Sequence, residues 1–390
     1  MKKQFVVLGG GFAGLEAAIK LRSYGHEVCL VSDRDYMFIY PVSIWIPTGK
    51  QTFEQVKLNL FDLQKKHGFE VLVDEVVQLK VEQQQVVLKN QVLEYQYLFV
   101  AMGMHKMQAP GLEYTHSICG KPMESLAIKE ELEKLAARGY GKIAVGFGSN
   151  PKDSTATAVR GGPAFELLFN ISHFLKKRGL LDQFELHFFA PMNEPGRRMG
   201  KKPYSQLDVF FKHYQVKKHV GKPIWQFEEK AVVFDDGTRL ESDLTIFIPA
   251  GDGHKIIKKS TLPLNGAGFI KINELCRVKG LKNVYAIGDA AEIAGPKWAA
   301  KQGHIAEVMA KVAAYNAHQE FVGKGKRKSY WEELHIICLM DSGDGGAFIM
   351  RTNKRELIIP MPIVGHWIKK AWGFYFKNSK LKRIPKIPGM

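Results

Sequence analysis

Glycines in one short segment near the N-terminus are the residues best suited to hold a ligand. They follow the apolar run 5–8 and precede the helical pattern 14–24. A glycine turn between a strand and a helix lets the backbone approach a phosphate closely, and the helix N-terminus favours its negative charge. The spacing predicts a dinucleotide pyrophosphate site. The predicted contact residues are Gly9, Gly11, Phe12, Ala13 and Gly14.

Cysteines are the second group that could do chemistry. Cys338 precedes a glycine-rich segment, and it is either a redox thiol or a buried small apolar residue. Cys119 is either a redox thiol or an ordinary loop residue. Cys29 and Cys276 are predicted to be structural. A thiol reacts as the thiolate, so nearby cations would favour a redox role.

The elements that position the glycine turn read as a βαβ unit. Strands are predicted at 5–8 and 27–31 with the helix 14–24 between them, which implies a parallel sheet. Ser32 and Asp33 follow the second strand, where dinucleotide-binding folds place an acceptor for ribose hydroxyls. We therefore predict that both residues contribute to cofactor binding.

A second strand and glycine turn, residues 142–148, are similar to the first and indicate an internal repeat. Pro151 and its neighbours stand where the third glycine and a helix are expected, and they disfavour an immediate helix. The next helix is expected near Gly162, with Pro163 in its first turn. Apolar alternation predicts antiparallel strands within 70–100, and a further strand is predicted near the C-terminus. These strands are 70–73, 86–88, 97–100 and 333–337.

Length and composition limit the classes of protein to which this chain can belong. The 390 residues can hold two or three domains, and 45% hydrophobic with 24% charged residues is ordinary for a globular chain. The net charge of +17 favours an anionic partner such as a membrane surface. Four scattered cysteines do not resemble a secreted disulfide framework, no signal peptide is recognised and no apolar run is long enough to span a membrane. A cytoplasmic location is expected.

The C-terminal stretch 363–390 differs in composition from the rest of the chain. Aromatic and aliphatic residues recur at helical spacing among lysines, and no acid follows Glu356. Trp367 and Trp372 beside lysines predict an amphipathic helix in a membrane interface, where the lysines attract anionic lipid. A core helix or a helix in a dimer interface is the alternative.

The motifs together resemble the two-dinucleotide-binding-domain flavoproteins, which include disulfide reductases and type II NADH dehydrogenases. Within them the chain looks most like the sulfide:quinone oxidoreductases. The first glycine turn falls on the family's FAD pyrophosphate turn, and residues 97–103 resemble its second FAD fingerprint, with Ala101 and Gly103. Residues 285–289 resemble the third, where Gly288 precedes Asp289, the residue that bonds the ribityl chain. The resemblance implies FAD as cofactor.

Three further segments resemble the redox side of that family. Cys119 matches a position that holds a cysteine near the flavin, which could also link it covalently. Cys338 matches the later redox cysteine, whereas Arg160 stands at the position of the other one. Lys301 is expected to stabilise negative charge near the reduced flavin. Glu166 is either a proton carrier to a quinone or an acid in the first helical turn.

The resemblance implies a peripheral membrane enzyme on the cytoplasmic face that passes electrons from a small reductant, possibly sulfide, through FAD to a quinone. A type II NADH:quinone dehydrogenase is the first alternative, although the second glycine turn is interrupted. A flavin-binding redox sensor without turnover is the other. We expect no metal site and no nucleic-acid partner. Association into a homo-oligomer is a further expectation.

The predicted domains follow from these motifs. Residues 1–108 and 266–330 form the FAD-binding domain, 109–265 a second Rossmann-like domain, and 331–390 a C-terminal region with the membrane-associating helix. The fold class is therefore α/β, with two Rossmann-like domains and an amphipathic helical tail.

Overall fold

The computed structural model describes residues 2–387. The strands in this part of the chain are β1 (Lys3–Leu8), β2 (Val28–Ser32), β3 (Tyr36–Phe38), β4 (Lys57–Asn59), β5 (Glu70–Val73), β6 (Val76–Lys80), β7 (Gln85–Leu88), β8 (Val92–Val100), β9 (His105–Lys106), β10 (Gly141–Phe147), β11 (Phe184–Ala190), β12 (Val216–Val220), β13 (Ile224–Glu228), β14 (Ala231–Phe234), β15 (Arg239–Glu241), β16 (Leu244–Ile248), β17 (Gly251–Asp252), β18 (Val284–Ala286), β19 (Ile336–Asp341), β20 (Gly346–Arg351) and β21 (Glu356–Pro360).

Helices alternate with many of these strands, as expected for an α/β protein. They are α1 (Phe12–Ser23), α2 (Tyr40–Ser43), α3 (Leu60–His67), α4 (Glu124–Arg138), α5 (Gly162–Lys177), α6 (Lys201–His213), α7 (Lys255–Lys258), α8 (Gly303–Phe321) and α9 (Val364–Lys380).

The first large sheet carries the first glycine turn. Its strand order is β5-β2-β1-β8-β7-β6, and β18 pairs in parallel with the end of β8. β1 is parallel to both β2 and β8, as the βαβ pattern predicted. Phe5 to Leu8 are fully buried or nearly so, because helices cover both faces of a parallel sheet. β18 brings the late residue Asp289 to the same sheet edge as the first turn.

The second large sheet repeats the arrangement. Its strand order is β12-β11-β10-β16, and every pair is parallel. β10 leads into the second glycine turn, and α5 begins at Gly162 with Pro163 in its first turn, as predicted. The α/β class with two Rossmann-like units is confirmed.

Three strand predictions were wrong in detail. β5 is not antiparallel: it extends the first sheet by pairing in parallel with β2. Residues 97–100 of β8 likewise pair in parallel with β1 and β18, and only the start of β8 is antiparallel to β7. The strand predicted at 333–337 is β19, which begins and ends later and therefore contains Cys338. Local alternation shows that a segment is extended, but the choice of neighbour depends on chain crossovers that no local pattern encodes.

The C-terminal region forms an antiparallel sheet, β19-β20-β21, against which α9 packs. The predicted C-terminal helix is therefore present. None of the helices in residues 2–387 is long and apolar enough to cross a membrane. The domain boundaries near residues 108, 265 and 330 stay predictions.

Candidate functional site

One large cavity runs from the first glycine turn to the C-terminal sheet and α9. Its volume is about 2090 Å³. Typical small-molecule sites occupy roughly 300–1,000 Å³, so this cavity has room for a dinucleotide and for a second ligand. It opens at the carboxyl ends of the parallel strands, where open α/β sheets bind their ligands.

The first glycine turn fits a pyrophosphate. Gly9 has φ +111°, and a Cβ there would meet the Ala101 carbonyl oxygen at 2.3 Å. A Cβ on Gly11 would meet nothing within 4 Å, because this residue faces the open cavity. α1 begins directly after Gly11 and no side chain caps it, so its first N–H groups are available to an anion.

The other predicted flavin residues divide into two groups. Gly14 and Gly288 do not line the cavity but allow close packing: a Cβ on Gly14 would meet the Gly9 carbonyl oxygen at 1.8 Å, and one on Gly288 would meet the Ala13 Cβ at 2.8 Å. The rest line the cavity wall. They are Gly9, Gly11, Phe12, Ala13, Ser32, Asp33, Ala101, Gly103, Asp289 and Lys301.

Asp289 is the acid around which cations gather. Arg160 donates to its carboxylate, and both side chains are partly buried. Lys301 is buried, donates to the Ala291 carbonyl and lies 3.9 Å from the centre of the Phe269 ring. Burial lowers the pKa of Lys301 to about 8, although Asp289 opposes the shift. Lys301 can therefore supply the cation that was predicted near the flavin, and its ammonium group loses its proton more readily than that of an ordinary lysine.

Both candidate cysteines line the cavity, in different surroundings. Cys338 lies within β19, and burial followed by the negative charge of Glu166 raises the pKa of its thiol to about 12. Cys119 is buried close enough to Arg160 to help raise the pKa of that guanidinium, against the effect of burial. Cys29 and Cys276 are buried outside the cavity lining, as expected for structural residues.

A buried ion pair stands beside Cys338. Lys369 of α9 donates to Glu166 of α5 at 2.5 Å, and the Asp341 backbone N–H donates to the same carboxylate at 2.9 Å. Burial raises the pKa of Glu166 although Lys369 opposes the shift. Glu166 is the fifth residue of α5, so its interpretation as an acid of the first helical turn was wrong.

Asp341 anchors the same region. Its carboxylate accepts from His366 at 2.7 Å, Trp45 at 2.9 Å and Asn170 at 3.0 Å. Burial would raise its pKa, but these donors hold the pKa of Asp341 below its usual range. An ionised carboxylate thereby ties together α5, α9 and the hairpin that follows Cys338.

A second buried ionic cluster holds the end of α9. Lys380 donates to Glu16 of α1 and, at 2.7 Å, to Glu307 of α8, and Lys386 also reaches Glu16, at 3.2 Å. Next to it the rings of Phe12 and Phe376 lie 5.3 Å apart. Two of the tail lysines are therefore not available to lipid, because Lys369 and Lys380 are buried and paired with acids from distant elements. The attachment of the remaining helix surface to a membrane stays a prediction.

The apolar residues of the tail also divide between two faces. Trp372, Tyr375 and Phe376 line the cavity. Trp367 and Phe374 are 63% and 66% exposed on the outside. With their neighbours they form what we call the C-terminal apolar surface: Ile337, Leu357, Ile359, Ile363, Val364, Trp367, Ile368 and Phe374.

The second glycine turn has no comparable opening. The buried Asn150 donates to the Gly251 carbonyl at 2.8 Å, and the buried Asp153 accepts from the Ala158 backbone N–H at 3.0 Å. The Lys301 backbone N–H donates to the Thr157 carbonyl at 2.9 Å. The segment after this turn is therefore folded on itself and fixed to both units.

Four residues of the site escaped the sequence interpretation: Glu16, Lys106, Lys369 and Lys380. A signal existed for two of them. Lys369 and Lys380 stand three helical turns apart on the face of α9 opposite Trp367, where a lysine needs a partner if the helix docks. No group of three or more potential ligands in residues 2–387 could hold a metal ion.

The fold and the site define a dinucleotide-binding oxidoreductase. They combine two Rossmann-like units with an open glycine turn and a cavity that has room for a dinucleotide. The sequence model of the pyridine nucleotide-disulphide oxidoreductase family matches residues 3–315. The chain belongs to this family, and it is a flavoprotein oxidoreductase with FAD as its cofactor.

Similar proteins align with nearly the whole length of this chain. The sulfide-quinone reductase of Aquifex aeolicus is 24% identical over 96% of this chain and 90% of its own length. The type II NADH:quinone oxidoreductase of Staphylococcus aureus is 21% identical over 100% of this chain and 97% of its own. The crystal structure of the Aquifex aeolicus sulfide:quinone oxidoreductase matches with a TM-score of 0.86 at 21% identity, covering 97% of this chain and 92% of that one. This structural likeness concerns the fold.

Proposed function

We propose that this flavoprotein passes electrons from a small sulfur-containing reductant to a quinone at a membrane surface. The names of the relatives support the quinone as acceptor. The observation that carries the proposal is the single cavity, which joins the first glycine turn to the C-terminal apolar surface. One wall therefore serves a dinucleotide and the other an apolar acceptor.

The flavin end follows from the residues described above. In this proposal the first glycine turn holds the FAD pyrophosphate, Ser32 and Asp33 face a ribose, and Asp289 takes the ribityl chain. The chemistry that FAD would supply when bound is the transfer of an electron pair from the donor to the acceptor. The remaining contacts come from Ala101, Gly103 and Lys301, while Gly288 allows the close packing that precedes Asp289.

The acceptor end is apolar and reaches the outside. Three of its residues belong both to the cavity wall and to the C-terminal apolar surface: Ile337, Ile359 and Ile368, which are 39%, 45% and 42% exposed. Leu339, Phe348 and Trp372 continue the wall inward. A quinone could therefore enter from lipid without crossing water.

Protonation is the part of quinone chemistry that this chain must supply. A quinone takes up two electrons and two protons to become a quinol. Glu166 lies on the cavity wall, where burial raises the pKa of its carboxyl group, and Lys369 donates a hydrogen bond to it at 2.5 Å. We assign Glu166 as proton donor to the acceptor and Lys369 as its positioning partner.

The donor side is assigned to the cysteines. Cys338 would form a sulfur–sulfur bond to the donor, with Cys119 as the second candidate. The two electrons and one of the protons released would pass to the FAD as oxidant, and Lys301 would offset negative charge at the flavin. Because the Cys338 thiol is protonated at neutral pH in these surroundings, its reaction requires transfer of that proton, for which Glu166 is the neighbouring base.

Reduction by NADH is the less favoured alternative. A second Rossmann-like unit is present, which keeps this function under consideration. Asn150 and Asp153 hold the segment after the second turn in place, and a Cβ on Gly148 within that turn would meet the Phe247 ring at 2.9 Å. The open glycine of this unit, Gly162, comes only after that segment.

The acceptor is tested with the flavin already reduced. Holoenzyme reduced by light without oxygen should be reoxidised by a short-chain ubiquinone, and Glu166→Gln should slow this step about 100-fold. Glu130→Gln, an exchange at an exposed position of α4, is the matched control. A reduced flavin that oxygen reoxidises but quinone does not would remove the quinone from the proposal.

The donor is tested separately. Sulfide should bleach the flavin faster than NADH does, and Cys338→Ser should slow bleaching by sulfide while leaving reduction by light unchanged. If the serine variant reacts with sulfide at the wild-type rate, Cys338 is structural.

Membrane attachment is tested by vesicle flotation with anionic lipid. Trp367→Ala combined with Phe374→Ala should weaken binding, because each ring buried in lipid contributes about 2 kcal/mol. Trp225→Ala is the control, since Trp225 is equally exposed, at 63%, on β13. Equal flotation of the double variant and the control would assign attachment to another surface.

A further inference from the structure

Asp289 satisfies only part of the Arg160 guanidinium. Arg160 uses one guanidinium nitrogen for this carboxylate, while its Nε is buried without a hydrogen-bond partner in residues 2–387. Burial lowers the pKa of the neighbouring Lys301, and the carboxylates of Asp289, Asp153 and Glu292 oppose that shift. Arg160 is therefore the cation that keeps an unused N–H on this part of the wall.

Lys106 adds a third cation. It lines the same cavity, half-buried in β9, and its ammonium makes no hydrogen bond or ion pair within the described part of the chain. Burial, followed by the positive charge of Arg160, lowers the pKa of Lys106 to about 8, with Cys119 and Asp289 opposing the shift. The backbone also places Lys106 near Arg160, because Lys106 pairs with Gly251 between β9 and β17 and the Gly251 N–H donates to the Ala158 carbonyl at 3.0 Å, two residues before Arg160.

Most other cavity cations differ from Lys106 because they have partners. Lys369 and Lys380 are paired with buried glutamates. Arg198 donates to the Thr155 and Ala299 carbonyl oxygens, and Arg197 faces Glu194 at 3.6 Å. A half-buried ammonium and a buried guanidinium N–H without acceptors carry a desolvation cost that a bound anion would offset.

We propose that Arg160 and Lys106 form an anion subsite beside Cys119, so that the reductant of this enzyme binds as a small anion. This inference rests on the proposed function, since it names the charge class of the donor used there. Arg160 binds through its free guanidinium edge and Lys106 as a point charge. The anion is held by electrostatic attraction, and no bond to the protein is formed or broken.

The subsite lies in a different part of the cavity wall from the acceptor end. Arg160, Lys106 and Cys119 come from the segments next to Asp289, whereas the quinone wall comes from β19, β20, β21 and α9. The cysteine beside this subsite is Cys119, the second candidate of the proposed donor side, whereas Cys338 lies in β19 on the acceptor wall.

The test is the binding of inorganic sulfate, which does not reduce flavin. Oxidised holoenzyme is titrated with sodium sulfate at constant ionic strength, set with sodium chloride, and the visible absorption of the flavin is recorded. A saturable spectral shift is expected. Arg160→Gln and Lys106→Met should each weaken the apparent affinity about tenfold, because each removes a charge-assisted contact.

Two variants serve as controls. Arg197→Gln makes the same exchange at a paired arginine of the cavity wall and should bind sulfate like the wild type. Arg160→Lys keeps the charge and should recover part of the affinity if Arg160→Gln fails to retain flavin. No saturable shift in the wild type, or equal affinity in Arg160→Gln, Lys106→Met and Arg197→Gln, overturns the anion subsite.

These outcomes are separable from those of the proposed function. Reoxidation of the reduced flavin by ubiquinone does not require the anion. If the protein binds sulfate but its reduced flavin does not react with quinone, the anion subsite stands and the proposed acceptor is wrong. If it reacts with quinone but does not bind sulfate, the acceptor stands and the anion subsite is wrong.

Discussion

The helices that follow the two glycine turns bury a glutamate at the same position. Glu16 is the fifth residue of α1, and Glu166 is the fifth residue of α5. Each carboxylate accepts a hydrogen bond from a lysine of α9, Lys380 for Glu16 and Lys369 for Glu166. The two Rossmann-like units therefore hold the C-terminal helix through equivalent positions.

The surroundings give the two pairs opposite properties. Lys380 and Lys386 both face Glu16, and despite its burial they lower its pKa to about 2. Glu166 has one lysine and lies near Asp341, so burial dominates and its pKa is raised. The first pair is suited to an anchor, whereas the second can exchange a proton at the cavity wall.

The turns before these helices differ as well. The first turn faces open space at Gly11, while the second leads into a segment that folds on itself through Asn150 and Asp153. The second unit contributes Arg160 and Glu166 to the cavity of the first. A repeated fold therefore places its two halves around one site.

The strongest test of this difference exchanges a glycine in each turn. Gly11→Leu should fold and yet weaken FAD binding by about 1,000-fold, or about 4 kcal/mol, because its side chain fills the cradle. Gly148→Ala, in the second turn and outside the cavity lining, should retain the flavin. Absorbance of the purified proteins and FAD titration give the answer; equal flavin content would make the two turns equivalent.

Removal of the anchoring lysine should have the next largest effect. Lys380→Met leaves Glu16 buried beside Glu307 and should lower the free energy of unfolding by about 4 kcal/mol. Urea unfolding of the holoenzyme at pH 7 measures it.

The pH dependence of the free energy of unfolding shows whether the effect of Lys380→Met comes from charge or from packing. The pKa of Glu16 in the folded protein, about 2, lies below its ordinary value of 4.5. Its stabilisation is therefore complete above about pH 4.5 and lost as pH falls through about 2. The difference between wild type and Lys380→Met should shrink over that window. A difference that stays constant would mean that packing, not charge, holds α9.

Lys369→Met should destabilise less, by about 2 kcal/mol, because Glu166 already has a raised pKa and can become neutral. The double variant Glu166→Gln, Lys369→Met should recover most of this loss, since no buried charge is left unpaired. Unfolding of the three proteins under identical conditions tests both statements. A loss equal to that of Lys380→Met would contradict the distinction between the two pairs.

The smallest effect on stability is expected from NADH, the nucleotide that the second Rossmann-like unit would bind. FAD at 100 times its dissociation constant should stabilise the apoprotein by about 2.7 kcal/mol, whereas NADH should leave the melting temperature of the holoenzyme unchanged. A clear upward shift with NADH would show that the second turn opens, and the NADH-dependent alternative would replace the sulfur donor.

Much of the flavin side could be predicted because its signals are local. Gly9, Gly11 and Gly14 lie within one turn, and their spacing follows from the contact of a strand, a helix and a phosphate. The beginning of α5 at Gly162 was also predictable, since Pro163 favours a first turn. The pairing of β5 was not, because its neighbour β2 is separated from it along the chain.

The chain's residue types alone determined the family, the two Rossmann-like units and a C-terminal helix rich in lysine and tryptophan. Tertiary structure decided which lysines of that helix meet acids and which tryptophan faces outward. Lys369 and Lys380 find Glu166 and Glu16 across about 200 and about 360 residues of sequence. Helical periodicity gives each side chain a direction on its own helix, but the partner on the facing helix depends on how the elements pack.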